Sequence, residues 1–145
     1  MPVRVLPLDG EAFMGAAIGR LAPRSRYDVH FHRALEQLTF VVAGRVWITM
    51  RGPGEAEPRT RVLGAGEAMT NPPGATLAFA NEDDTAPAEV LFVCAPPFPP
   101  DGSEVVVTGQ HRSLTEEERA QARARLAWAL ARFQRVGASR LESPP

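Results

Sequence analysis

The run His30-Phe31-His32-Arg33-Ala34-Leu35-Glu36-Gln37 holds the side chains best suited to chemistry in this chain. On a β-strand, residues two apart share a face, so His30 and His32 present two imidazoles side by side. Neutral imidazole is a ligand for zinc, iron, copper and nickel, and an oxygen donor a few residues on would close one side of a metal. Taken alone, such a pair is equally consistent with two pocket or surface histidines and no metal. Cys94 is the only cysteine, which excludes an intrachain disulfide and a cysteine-based zinc cage and suits an inert core thiol. All sixteen basic residues are arginine, so lysine Schiff-base chemistry is excluded as well.

The elements that must position the two histidines are short strands. Fourteen prolines and twelve glycines punctuate a chain of 145 residues, the length of one domain. Strands are predicted at 15–21, 37–42, 45–50, 59–63, 76–80, 89–95 and 104–108, with the H-x-H run on a strand of its own. Ala43-Gly44, Arg51-Gly52-Pro53-Gly54 and Asn71-Pro72-Pro73-Gly74 are the turn signals between them, and Pro96-Pro97 with Pro99-Pro100 stops the strand that carries Cys94. Regular spacing without intervening helices predicts an all-β sandwich or barrel. The β part is expected over residues 1–112, a C-terminal amphipathic helix over 113–136, and a flexible tail over 137–145. Thr115 and Glu118 have the spacing of a capping box at the helix start. Leu126, Leu130 and Phe133, with Ala127 and Trp128 beside them, form an apolar stripe expected to pack on the barrel wall, with a dimer contact as the alternative. His111, in the polar connection before the helix, is expected to be exposed.

Two segments together resemble the motifs of the cupin superfamily. The first cupin motif is G-x5-H-x-H-x(3,4)-E-x6-G. His30, His32 and Gly44 match it, Gln37 stands where the carboxylate is usual, and Arg24 stands at the opening glycine. The second is G-x5-P-x-G-x2-H-x3-N. Gly66, Pro72, Gly74 and Asn81 match it, and Leu77 replaces its histidine. The resemblance spans residues from about 20 to 97 and implies a double-stranded β-helix, or jelly-roll, with the helix appended. Complete cupin sites carry three histidines and a glutamate; this chain keeps two histidines with Gln37 as a neutral third donor or a hydrogen-bonding neighbour. Glu36 is expected on the opposite face unless a local bulge turns it inward. If Leu77 lines the interior, Thr39, Val41, Ala75 and Phe79 line it too by alternation, giving an apolar pocket with one polar cluster.

The resemblance implies a small-molecule-binding protein with a divalent transition metal at the barrel centre (zinc, iron, manganese or nickel). Such a protein would be an enzyme of non-redox type, an isomerase, cyclase or lyase, or else a dioxygenase. The alternative is a metal-free module that binds a small carbohydrate or carboxylate. A homodimer is expected in either case. The net charge of −1 argues against nucleic acid as a partner, and no run reaches the ~20 apolar residues of a membrane span. The first residues lack the pattern of a signal peptide, so a cytoplasmic protein is expected.

Overall fold

The computed structural model describes residues 1–8, 12–99 and 104–142. The turn residue Pro100 and the tail residues 143–145 lie outside that range. Among the described residues ten strands come first: β1 (Val3–Leu6), β2 (Gly15–Leu21), β3 (Ser25–His32), β4 (Glu36–Ala43), β5 (Arg45–Arg51), β6 (Arg59–Gly64), β7 (Ala68–Asn71), β8 (Thr76–Asn81), β9 (Ala88–Ala95) and β10 (Val105–Val107). One helix, α1 (Glu116–Glu142), follows. The strands form two five-stranded sheets, in the orders β1-β2-β9-β4-β7 and β10-β3-β8-β5-β6, and every pairing is antiparallel. This is the architecture expected of a jelly-roll.

Alternation along each strand decides what faces inward. Ala17 and Leu21 of β2, Val41 of β4, and Val90 and Phe92 of β9 are buried from one sheet; Val46 and Ile48 of β5 with Leu77 and Phe79 of β8 are buried from the other. The two sets meet in the middle, where the rings of Phe79 and Phe92 lie edge to face with centroids 5.6 Å apart. Gly44 makes the turn between β4 and β5 at φ 76°. A Cβ there would come within 2.6 Å of the Pro87 carbonyl oxygen, so both conformation and space demand glycine.

The helix start is as its sequence requires. Glu118 N–H donates to Thr115 Oγ1 (3.1 Å) and Thr115 N–H donates to Glu118 Oε2 (2.8 Å). The helix then passes through Gly137 to Glu142, beyond the end expected at Val136. A single glycine costs about 1 kcal/mol against alanine, too little to stop a helix followed by Ala138, Arg140, Leu141 and Glu142. The apolar stripe is not covered as expected. Ala129 and Val136 are the buried residues of α1, whereas Leu126, Trp128, Leu130 and Phe133 are 39–61% exposed. The helix touches the β part through a few contacts, such as Phe13 against Phe133 with ring centroids 4.0 Å apart. Between helix and barrel runs a cleft of about 590 Å³.

Candidate functional site

Strand β3 carries an extra residue before the histidines. Tyr27 pairs with Phe79 and His30 with Leu77, so three steps along β3 match two along β8. This bulge resets the alternation. Without it Val29 would oppose Leu77 and the imidazoles would face outward; with it His30 lies opposite Leu77 and His32 is 4% exposed. The bulge is held from its other side, where Thr108 N–H and Gly109 N–H both donate to the Val29 carbonyl (2.8 and 3.1 Å). The end of the strand is latched by the Asn71–Gly74 turn, as Gly74 N–H donates to the His32 carbonyl (3.2 Å).

The two imidazoles stand with centroids 5.4 Å apart and rings nearly perpendicular, at 84°. His30 Nδ1 lies 3.0 Å from the Asp28 carbonyl oxygen. A carbonyl only accepts, so Nδ1 bears the proton and Nε2 keeps its lone pair. His32 is different: both ring nitrogens are buried and have no hydrogen-bond partner among the described residues. Burial, with His30 as a neighbouring would-be cation, pushes His32 down to about 3, and burial also lowers His30. Both rings are therefore neutral near pH 7, which is the ligand form of imidazole. The ring of Phe79 stacks over His30 at 6.0 Å and Phe98 tilts toward His32 at 6.3 Å.

Gln37 lies on the facing sheet. It is 3% exposed and sits between Asn71 of β7 and Cys94 of β9 in the strand register. The Asn71 Nδ2 amide is buried there without a partner among the described residues. Thr39, Val41, Ala75, Leu77 and Phe79 are all at most 2% exposed. Glu36 is exposed on the outer face; the shift in the β4–β9 register falls between Val41 and Ala43, too far along to turn it inward. Cys94 is 1% exposed, and burial raises its thiol to about 11, so it stays protonated. Leu77 fills the place opposite His30 where the second motif has its histidine. Among the described residues no three His, Cys, Asp or Glu side chains converge as a metal-binding group. A metal at the ligands expected from the sequence would therefore rest on two imidazoles and the neutral amide of Gln37.

Two residues near the site carry no signal in the sequence. Glu104, 2% exposed, accepts from Ala34 N–H and Leu35 N–H through Oε1 (2.5 and 2.9 Å). Its other oxygen, Oε2, stands 2.6 Å from Arg125 Nε of α1, a charge contact without the alignment of a hydrogen bond. One carboxylate thereby ties the helix to the loop that spaces His32 from Gln37. His111 is half-buried rather than exposed, because its Nδ1 lies 3.0 Å from Thr76 Oγ1.

No curated protein matches the sequence. Solved structures resemble the fold: an oxalate oxidase in complex with the substrate analogue glycolate (19% identity, TM-score 0.57, covering 66% of this chain and 46% of that one). Others are the Lactobacillus farciminis oxalate decarboxylase formate complex (22%, 0.57, 66% and 26%) and vicilin from hazelnut, Corylus avellana (22%, 0.61, 72% and 31%). The chain therefore spans less than half the length of each. No helix among the described residues is long and apolar enough to cross a membrane. The family model described as the cupin domain matches residues 17–94, more than half of the sequence, from within β2 to Cys94 of β9, and on this match the chain belongs to the cupin family.

Proposed function

We propose that this cupin binds a small molecule at the inward face of β3 and that His30 and His32 hold a divalent transition metal there. The observation that carries the reading is the pair of orphaned nitrogens on His32. A buried polar atom without a partner costs about 1–3 kcal/mol, so a ligand that engages it is strongly favoured. The chain prepares the donors. The Asp28 carbonyl holds His30 in the tautomer that presents Nε2, and burial keeps His32 neutral. Leu77 and Phe79 supply a dry wall, and Gln37 offers an amide oxygen or a hydrogen bond from the facing sheet. A divalent ion bound between the imidazoles would supply Lewis-acid polarisation of a substrate oxygen. With no protein carboxylate among the proposed donors, the set suits non-redox isomerase, cyclase or lyase chemistry better than an iron oxygenase triad.

The metal content of protein purified without chelators tests the reading directly. About one equivalent of a transition metal per chain is expected in the wild type and none in the His30→Ala/His32→Ala double variant. Metal-free wild type that takes up no zinc, manganese, iron or nickel on addition overturns it. That result would favour a second reading, a metal-free binding module, to which Leu77 points: at 1% exposure it occupies the third histidine's place with a side chain that cannot ligate.

A further inference from the structure

A second cleft, of about 440 Å³, opens at the barrel mouth beneath the start of α1. It adjoins the candidate site, since its wall includes Arg33 and Gly74, the residue after His32 and the one whose N–H latches the His32 carbonyl. Neither histidine lines it. Four of its lining side chains are arginines, Arg33, Arg51, Arg119 and Arg123, and no acidic side chain is among the lining residues. The remaining wall is mostly apolar, with Leu114 and Leu126 contributed by the helix end of the molecule.

Among the described residues, two of the cations, Arg33 and Arg51, have no acidic partner. Arg33 and Arg51 are half-buried. The Arg33 guanidinium has no acceptor among the described residues, and Arg51 reaches neutral ones, Ser113 Oγ and the Ala56 carbonyl, each at 3.3 Å. Arg119 and Arg123 share Glu116, whose side chain is 74% exposed and lies outside the cleft wall, and Arg119 Nη1 also donates to the Leu114 carbonyl (2.8 Å). Exposed pairs of this kind are weak and exchange readily with a better partner. Like charges gathered in one concavity attract an anion, and guanidinium presents paired N–H donors that match a carboxylate or a phosphate. The volume falls in the range of small-ligand pockets.

We propose that this cleft is a binding site for a small organic anion, its carboxylate or phosphate held by Arg33 and Arg51 and its apolar body laid against Leu114 and Leu126. The site is independent of a metal at His30 and His32.

Isothermal titration calorimetry on chelator-treated protein tests it with benzoate, phenyl phosphate and the neutral benzamide. One or both anions are expected to bind, and benzamide is not; the tighter anion identifies the head group. Arg33→Ala and Arg51→Ala should each weaken binding by about tenfold or more, while exposed Arg61→Ala leaves it unchanged. The His30→Ala/His32→Ala variant should keep the affinity, which separates this site from the metal reading. The inference is overturned if neither anion binds, if benzamide binds as well, or if a folded Arg33→Ala/Arg51→Ala variant binds like the wild type.

Discussion

A left-handed backbone costs a residue with a Cβ about 1–2 kcal/mol, and Arg24 adopts one, at φ 54°. It stands where the first cupin motif opens with glycine, a residue that adopts this conformation without a Cβ penalty. Two contacts hold the strained turn: Arg24 N–H donates to the Asp83 carbonyl (3.0 Å), and the guanidinium pairs with Asp84 at 2.7 Å. Both side chains of that pair are about two-thirds exposed or more, so the pair adds little. The comparison that isolates the strain is between two variants that both lose the pair. Arg24→Gly is expected to be more stable than Arg24→Ala by about 1 kcal/mol in urea denaturation, the relief of φ outweighing the extra entropy of an unfolded glycine. Equal midpoints for the two variants would show that the backbone there is not strained.

Among elements, α1 meets the rest of the chain through the buried Ala129 and Val136, the Phe13–Phe133 ring pair and one buried carboxylate. Glu104 is buried with two backbone N–H groups on one oxygen and Arg125 on the other. Removing the carboxylate orphans two amides and leaves a cation beside them, each loss worth about 1–3 kcal/mol. Glu104→Ala is therefore expected to cost about 3 kcal/mol or more in chemical denaturation. Glu104→Gln should cost less, since its amide oxygen still accepts from Ala34 and Leu35. Arg125→Ala should cost least, because the Arg125 side chain is 29% exposed and water can take its place at Oε2. The reverse order would mean that the helix contact, not the loop, is what Glu104 serves. The sequence shows nothing of this clasp: Glu104 stands at the head of a valine run and reads as the start of a strand. Nor does it show the bulge at Asp28-Val29, because a register shift depends on which residues of β8 lie opposite. The turns and the capping box were legible because Gly, Pro, Thr and Glu act there through local geometry. What covers the apolar stripe of α1 is not local in this way: spacing defines a face, and the barrel leaves most of that face open.

Across the whole molecule, the burial of His32 and the partial burial of His30 between the two sheets link any ligand they hold to folding itself. In a disordered chain the two imidazoles lose the perpendicular 5.4 Å arrangement that the bulge, the Asp28 carbonyl and the Gly74 latch impose together. A metal that binds the native arrangement alone stabilises the fold by about 2.7 kcal/mol at a hundredfold excess over its Kd. For a chain of this length that corresponds to a rise in Tm of several degrees. Chelator-treated wild type is thus expected to melt at a higher temperature when zinc or manganese is restored, with the shift growing with the logarithm of metal concentration. The His30→Ala/His32→Ala variant should show a flat response over the same range. A shift of equal size in both proteins would place the ion elsewhere on the molecule, and a fall in Tm in both would mean that it prefers the unfolded chain. A one-residue bulge turns the histidines inward, the two sheets flank them, and the melting temperature reports whether the space between is a ligand site.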